Sequence, residues 1–192
     1  MTDDYDDYGS YRRTVAPSST VLAVTRDEAK TFLRLLDNNE LDTEIDRLIR
    51  SATEQVERDS RRVVMTQTWQ RHLDGFPRQQ IELRRVPVQS VTHIKYITGG
   101  VLTPLSAALY ETDLYLEPSR IQPVYGQVWP TTDCAINAVQ VEFIAGYTSA
   151  AVVPNYLKSV ILAVVKMNYR GCPAGSEYWD MITRLQTYGA IA

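Results

Sequence analysis

At 192 residues with 44% apolar side chains, the chain suits one domain, or one domain carrying a subdomain, with a genuine core. Its formal charge of −3 argues against a general nucleic-acid binder, which concentrates Lys and Arg to meet phosphate. No apolar run approaches the about 18 residues of a membrane span, and the start lacks the charged and apolar regions of a secretory signal. The expectation is therefore a protein made and folded in a cytoplasm, with no membrane partner.

Residues Met1 to about Ser19 place Asp3, Asp4, Asp6 and Asp7 among Tyr5, Tyr8 and Tyr11, followed by Arg12, Arg13 and Pro17-Ser18-Ser19. The segment has no apolar period and little aliphatic content to offset its ordering entropy, so residues 1–20 are expected to be a structureless arm. It is either a solubilising tail or an arm whose Tyr5, Tyr8 and Tyr11 order against a neighbour.

The first helix opens at Thr25-Arg26-Asp27-Glu28, the pattern of a capping box, and continues with an apolar stripe of Ala29, Phe32, Leu33 and Leu36. Asp37-Asn38-Asn39 breaks it. Asp42 can cap a second helix, in which Ile45, Leu48, Ile49, Ala52 and Val56 recur at helical spacing. Running to Arg62, that helix would be roughly 30 Å long. Glu44, Arg47, Arg50, Glu54, Glu57 and Arg58 read as its solvated face. Arg58, Arg61 and Arg62 complement the dipole at its C-terminus.

From Met65 the pattern becomes β. Thr66–Leu73, Ile81–Leu83 and Val88–Tyr96 are predicted strands, and Thr98-Gly99-Gly100 is a hairpin turn. Leu114-Tyr115-Leu116 and Ile121–Val124 read as short strands, with Pro118, Pro123 and Pro130 confining their surroundings to edges or loops. Ala138–Ala145 is the clearest strand, with Val139, Val141 and Phe143 on one face. Local connections favour antiparallel pairing. Helix returns at Val153-Pro154, where Leu157, Val160, Ile161, Val164 and Val165 form the densest stripe, and ends by Gly171-Cys172-Pro173. Ser176 can cap a last helix bearing Tyr178, Trp179, Met181, Ile182 and Leu185.

The predicted fold class is α+β: a four-helix bundle with an inserted antiparallel β subdomain. The boundaries are 1–20 for the arm, 21–64 for the first two helices, 65–150 for the insertion, and 151–192 for the last two helices and tail.

No motif suggests chemistry. His72 and His93 both fall on predicted strands, and no Cys, His or carboxylate spacing suits a metal. Cys134 and Cys172 form no CxxC pair and are expected to be reduced thiols. Gly99-Gly100 is too short to cradle phosphate, and Asp42, Glu44 and Asp46 belong to a helix start. No catalytic, cofactor-binding or metal residue is assigned. Twelve Tyr against three Phe suits surfaces that are half buried or become buried on association, or simply sheet faces.

An ordered series of short segments carries a resemblance. It comprises Asp27–Arg34, Asp46–Ala52, Gln67-Thr68-Trp69 and Leu73–Pro77. Ile81-Glu82-Leu83, Val86–Val91 with Ile94-Lys95-Tyr96, and Trp129-Pro130 continue it. Val139–Tyr147 and Val153-Pro154 with Leu157-Lys158 close it. Over roughly Val24 to Arg170 the chain resembles the head-tail connector (adaptor) proteins of tailed bacteriophages, in the branch with a β insertion between its helices. The acidic Tyr-rich head has no counterpart there, and the chain after Gly171 matches loosely.

The resemblance implies a structural virion protein, not an enzyme. It forms a ring, usually a dodecamer, beneath the portal protein. Further partners are other copies of itself and the next neck component, a stopper or tail-completion protein. DNA passes through the channel without specific binding. The resemblance places the portal contact in Ser176–Ala192, and Tyr178, Trp179, Met181, Ile182, Leu185, Tyr188 and Ile191 are the candidate interface residues; the competing reading puts Trp179, Ile182 and Leu185 in the bundle's own core. Two alternatives stand beside it: a DNA-packaging accessory using Arg58, Arg61, Arg62, Arg84 and Arg85, and a small cytoplasmic enzyme acting through Cys134 or His93.

Overall fold

A computed structural model of the chain describes residues 11–18, 21–35, 40–171 and 175–187. In chain order the elements begin with β1 (Tyr11–Val15), α1 (Arg26–Leu33), α2 (Asp42–Ser60), β2 (Gln67–Leu73), β3 (Ile81–Leu83) and β4 (Val88–Thr98). They continue with β5 (Val101–Pro104), β6 (Tyr110–Asp113), β7 (Ser119–Pro123), β8 (Val139–Ala145), α3 (Asn155–Arg170) and α4 (Ser176–Thr187). The fold is α+β, and the chain divides into two compact units. Pro17–Thr66 and Gly146 onward form a helical unit; Gln67–Ala145, with the described residues through Ala16, form a β unit.

In the helical unit, α1 starts on the expected capping box. The Thr25 hydroxyl accepts the Glu28 N–H at 3.2 Å, and the Glu28 carboxylate accepts the Thr25 N–H at 2.7 Å. The helix stops at Arg34, whose φ of 59° is left-handed. Ala29 is buried and Leu33 packs on the core, but Phe32, expected in the same stripe, is 42% exposed, with the Lys166 ammonium 5.6 Å from its ring centroid. So short a helix has room to turn only one narrow side inward. Leu36 and Asp37-Asn38-Asn39 lie outside the described residues.

Helix α2 buries Ile45, Leu48, Ile49, Ala52 and Val56 as its spacing predicts. Three expectations about its polar residues are corrected. Asp42 does not cap it: Leu41 is the cap residue, and the Asp42 carboxylate is held instead by Arg26 and Lys30 of α1. The helix ends at Ser60, before Arg62, because Arg61 turns left-handed (φ 61°). Glu57 is not on the solvated face but buried, accepting the Val64 N–H at 2.7 Å as the chain doubles back. Helix α3 buries Leu157, Val160, Ile161, Val164 and Val165, each stabilising by about 1.5–3 kcal/mol. Pro154 precedes its first turn, and left-handed Gly171 ends it, its N–H donated to the Asn168 carbonyl.

In the β unit every strand pair is antiparallel. One sheet has the order β1-β2-β8-β4-β5 and the other β3-β7-β6. Strand β8 is central and alternates strictly, with Val139, Val141, Phe143 and Ala145 buried. The β4–β5 hairpin turns at Gly99-Gly100, and the Asp133 carboxylate accepts both glycine N–H groups, at 3.2 and 2.7 Å. Leu114-Tyr115-Leu116 is not a strand. It lies in the turn between β6 and β7, where the Asp113 carboxylate accepts the Tyr115 N–H and competes with strand pairing. Tyr11–Val15, expected to be structureless, is the edge strand β1, in register from Tyr11↔Arg71 to Arg13↔Trp69.

Within the helical unit, Met65 and Tyr147 form a parallel bridge. Thr66 N–H is donated to the Tyr147 carbonyl at 3.1 Å, and Tyr147 N–H to that of Val64 at 2.9 Å. Gly146, at φ +103°, lies so close that an added Cβ would collide with the Met65 carbonyl. Gly146→Ala should therefore lower the unfolding free energy by about 2–4 kcal/mol in denaturant titrations. Gly100→Ala, left-handed but in open space, should cost no more than about 1–2 kcal/mol.

Candidate functional site

Helix α4 holds most of the residues singled out for the portal contact, and it divides them. Tyr178, Ile182 and Leu185, spaced four and three apart on one face, are buried in the helical unit's own core. Met181 is partly buried against that core, whereas Trp179 is 54% exposed. Tyr188 and Ile191 lie outside the described residues.

The buried side of α4 is fixed by polar contacts to α2 and to the segment just after it. The Tyr178 hydroxyl donates to the Asp59 carboxylate at 2.5 Å, and burial first, then Asp59, raises the phenol above its ordinary range. Arg62, read as a solvated end-of-helix cation, is buried and donates Nε to the Leu185 carbonyl at 3.2 Å, one of the helix-end acceptors without an intrahelical donor. Trp179 packs edge-on against the Tyr178 ring with centroids 5.1 Å apart. Among the described side chains of α4, Trp179 is the large apolar group left exposed.

Helices α1 and α2 are joined by an ion-pair network. Arg26 reaches Asp46 at 2.7 Å and Asp42 at 2.8 Å, and Lys158 of α3 reaches Glu28 at 3.1 Å. The hydrogen bond from Arg26 holds the Asp46 carboxyl below its ordinary value of 3.8; the Thr25 N–H, then Lys158, hold Glu28 below 4.5.

In the β unit, Tyr5 and Tyr8 lie outside the described residues, but Tyr11 is firmly placed. Its hydroxyl donates to the Glu82 carbonyl at 3.3 Å and accepts the Arg84 N–H at 2.9 Å, tying the edge of one sheet to the other sheet. Its ring stands edge-on to Phe143. The Arg71 and Arg85 guanidinium carbons lie 5.4 and 5.9 Å from its centroid, and Arg85 also lies 4.8 Å from that of Trp69.

Of the arginines considered for DNA, Arg62 is buried, Arg84 pairs with Glu82 at 3.3 Å, and Arg85 sits over two rings. His93 is 3.7 Å from Glu142, His72 lies on β2, and Cys134 is exposed in the loop before β8. Cys172 lies outside the described residues. Among the described residues no three His, Cys, Asp or Glu side chains gather closely enough to hold a metal, and no helix is long and apolar enough to cross a membrane.

The structure adds residues that periodicity did not single out. Tyr115 and Tyr125 are fully exposed at loop tips, with Val128 and Ile136 nearly so. Tyr125 and Val128 border an open groove of about 530 Å³ with Arg78, Gln79 and Gln122. The Trp129 ring is stacked on Phe76 at 4.7 Å, and its N–H is donated to the Gln79 carbonyl. Pro123 and Pro130 confine this stretch to edges or loops, but nothing in the sequence says which of its residues face solvent.

No family model and no curated protein matches the chain. Solved structures do. A chain of the virion of the native gene transfer agent particle superposes with a TM-score of 0.76 at 20% identity, over 92% of this chain and 94% of that one. Chains of the neck of the empty particle, computed with C6 symmetry, and of the native particle's neck, computed with C12 symmetry, give 0.73 and 0.70 at the same identity and coverage. At that identity the likeness shows a shared fold, helical and β units together.

Two expectations follow. Tyr178→Phe, which removes a partly buried charge-assisted hydrogen bond, should cost about 1.5–3 kcal/mol in thermal or urea unfolding, whereas Trp179→Ala should cost under about 1 kcal/mol. Because Asp46 and Glu28 titrate below their ordinary values when folded, their stabilisation is complete above about pH 5 and is lost as pH falls through the folded values. The urea midpoint should drop between neutral pH and about pH 3, and Asp46→Asn should flatten that drop.

Proposed function

We propose that the chain is a structural component of the neck of a phage-like particle: a head-tail adaptor that forms a ring beneath the portal and joins capsid to tail around the DNA channel. The observation that carries this reading is the fold likeness to neck chains over almost the whole of both proteins. A lone shared bundle would say little; a shared bundle with a shared insertion is a far narrower description. The ordered resemblance to head-tail connectors over Val24 to Arg170 points the same way.

The mechanism is assembly. Rigid subunits meet side to side through heterologous contacts, which close into a ring when the rotation per subunit divides a full turn. Twelve copies is the number proposed, as in the native neck computed with C12 symmetry. Trp179, beside the buried Tyr178, is the anchor we assign to the portal contact, since large aromatics dominate interface energies. Tyr188 and Ile191 belong to the same proposed contact. The next neck component meets the ring on its other side, and DNA passes without specific binding. The isolated chain is expected to be a monomer, because the portal supplies the contacts that favour closure.

Removing the gene from a producing cell should leave DNA-filled heads unjoined to tails. Adding purified chain should restore joining, and the Trp179→Ala chain should restore it at least about tenfold less well. Normal joining without the chain, or equal rescue by both chains with no binding to portal, would refute the assignment.

A further inference from the structure

We propose that the groove beside β7 is a binding site for a neutral saccharide. It lies wholly within the β unit and has a floor and a wall. The floor is a row of flat polar side chains on one face of the three-stranded sheet. Gln122 stands opposite Glu111 of β6 and donates its amide to that carboxylate, and Gln80, just before β3, continues the register on the other side. Neighbouring strands lie about 4.8 Å apart, so these groups recur at a regular interval. The wall is the loop after β7, which contributes Tyr125, Gln127, Val128 and Trp129 to the lining.

The indole of the wall is held in place before any ligand arrives. Phe76 stacks on the Trp129 ring at 4.7 Å, and the Trp129 N–H is donated to the Gln79 carbonyl at 3.1 Å, which lowers the ordering cost of binding. Tyr125, fully exposed, offers a second ring. Such rings meet the C–H face of a sugar, and amides meet its hydroxyls: each hydroxyl both donates and accepts, as each Gln amide does. Four glutamines line the groove, Gln79, Gln80, Gln122 and Gln127. The Gln79 and Gln127 amides, like the Arg78 guanidinium, are exposed and have no partner among the described residues. The charged groups of the lining are Arg78 and Glu111, one of each sign, so a phosphate or sulfate entering the groove would meet a carboxylate. An extended peptide fits less well, because it takes an open strand edge or side-chain pockets, whereas this floor is built of side chains standing on a sheet face.

The test prints neutral glycans, acidic glycans and a proline-rich decapeptide on one array. The array is probed with the biotinylated full chain on fluorescent streptavidin, whose multivalency reveals weak binding. Retention is expected on neutral glycans alone, and calorimetric titration with the neutral oligosaccharide best retained should give a Kd of about 0.1–1 mM. Tyr125→Ala and Gln79→Ala, both at exposed positions, should each weaken binding at least about fivefold with the urea midpoint unchanged. Tyr115→Ala, equally exposed but in the β6–β7 turn outside the groove, should leave binding as it was. Retention of no neutral glycan would overturn the proposal. So would stronger retention on acidic glycans or on the peptide, or an affinity that survives both groove substitutions. The assay needs neither portal nor particle, so its result stands apart from the fate of the neck assignment.

Discussion

The structure depends on one short seam. An insertion of nearly eighty residues can sit inside a helical unit only if its two ends leave and return at the same place. Here the seam is a parallel bridge between Met65 and Tyr147, closed by backbone bonds from Thr66 and to Val64, with Gly146 giving the clearance the two chains need. The Glu57 carboxylate, buried, holds the Val64 N–H that opens the crossing. Immediately beyond it, Gln67 pairs with Ala145, so the first and last strands of the insertion are neighbours from their first residue. Loop closure is thereby made once, at the seam, and the β unit adds its long-range pairings from there.

The same economy of anchoring recurs. A few polar groups fix each element, and apolar surface supplies the bulk of the stability. Tyr178 on Asp59 of α2, and Arg62 just beyond α2 on the Leu185 carbonyl, orient α4; Arg26 on Asp42 and Asp46 orients α1. Tyr11 does so for β1, a strand with four exposed residues out of five, alongside its pairing with β2. Such parts suit a building block, whose surfaces must keep one geometry while neighbours are added.

Much of this was legible in the sequence because it rests on local rules. The Thr25–Glu28 box, the α3 stripe and its stop at Gly171, the Gly99-Gly100 turn and the alternation of β8 were each readable from a few adjacent residues. What was misread depends on partners distant in sequence. Strand β1 carries two arginines and no apolar alternation, and becomes a strand only by pairing with β2, some fifty residues on. Glu57 and Arg62 look like surface charges until Val64 and the Leu185 carbonyl meet them. Tyr178 and Trp179 are adjacent aromatics, yet successive helix positions lie about 100° apart, so one is buried and the other exposed.

If this chain is, as proposed, a fixed part of a particle's neck, imaging the neck of the intact particle at side-chain resolution should reveal it. The expected result is a closed ring at the capsid vertex whose subunits show both the helical and the β unit, with the Trp179 indole buried against a second protein. Neck density fully accounted for by other chains, or this chain found elsewhere in the particle with Trp179 in solvent, would contradict it.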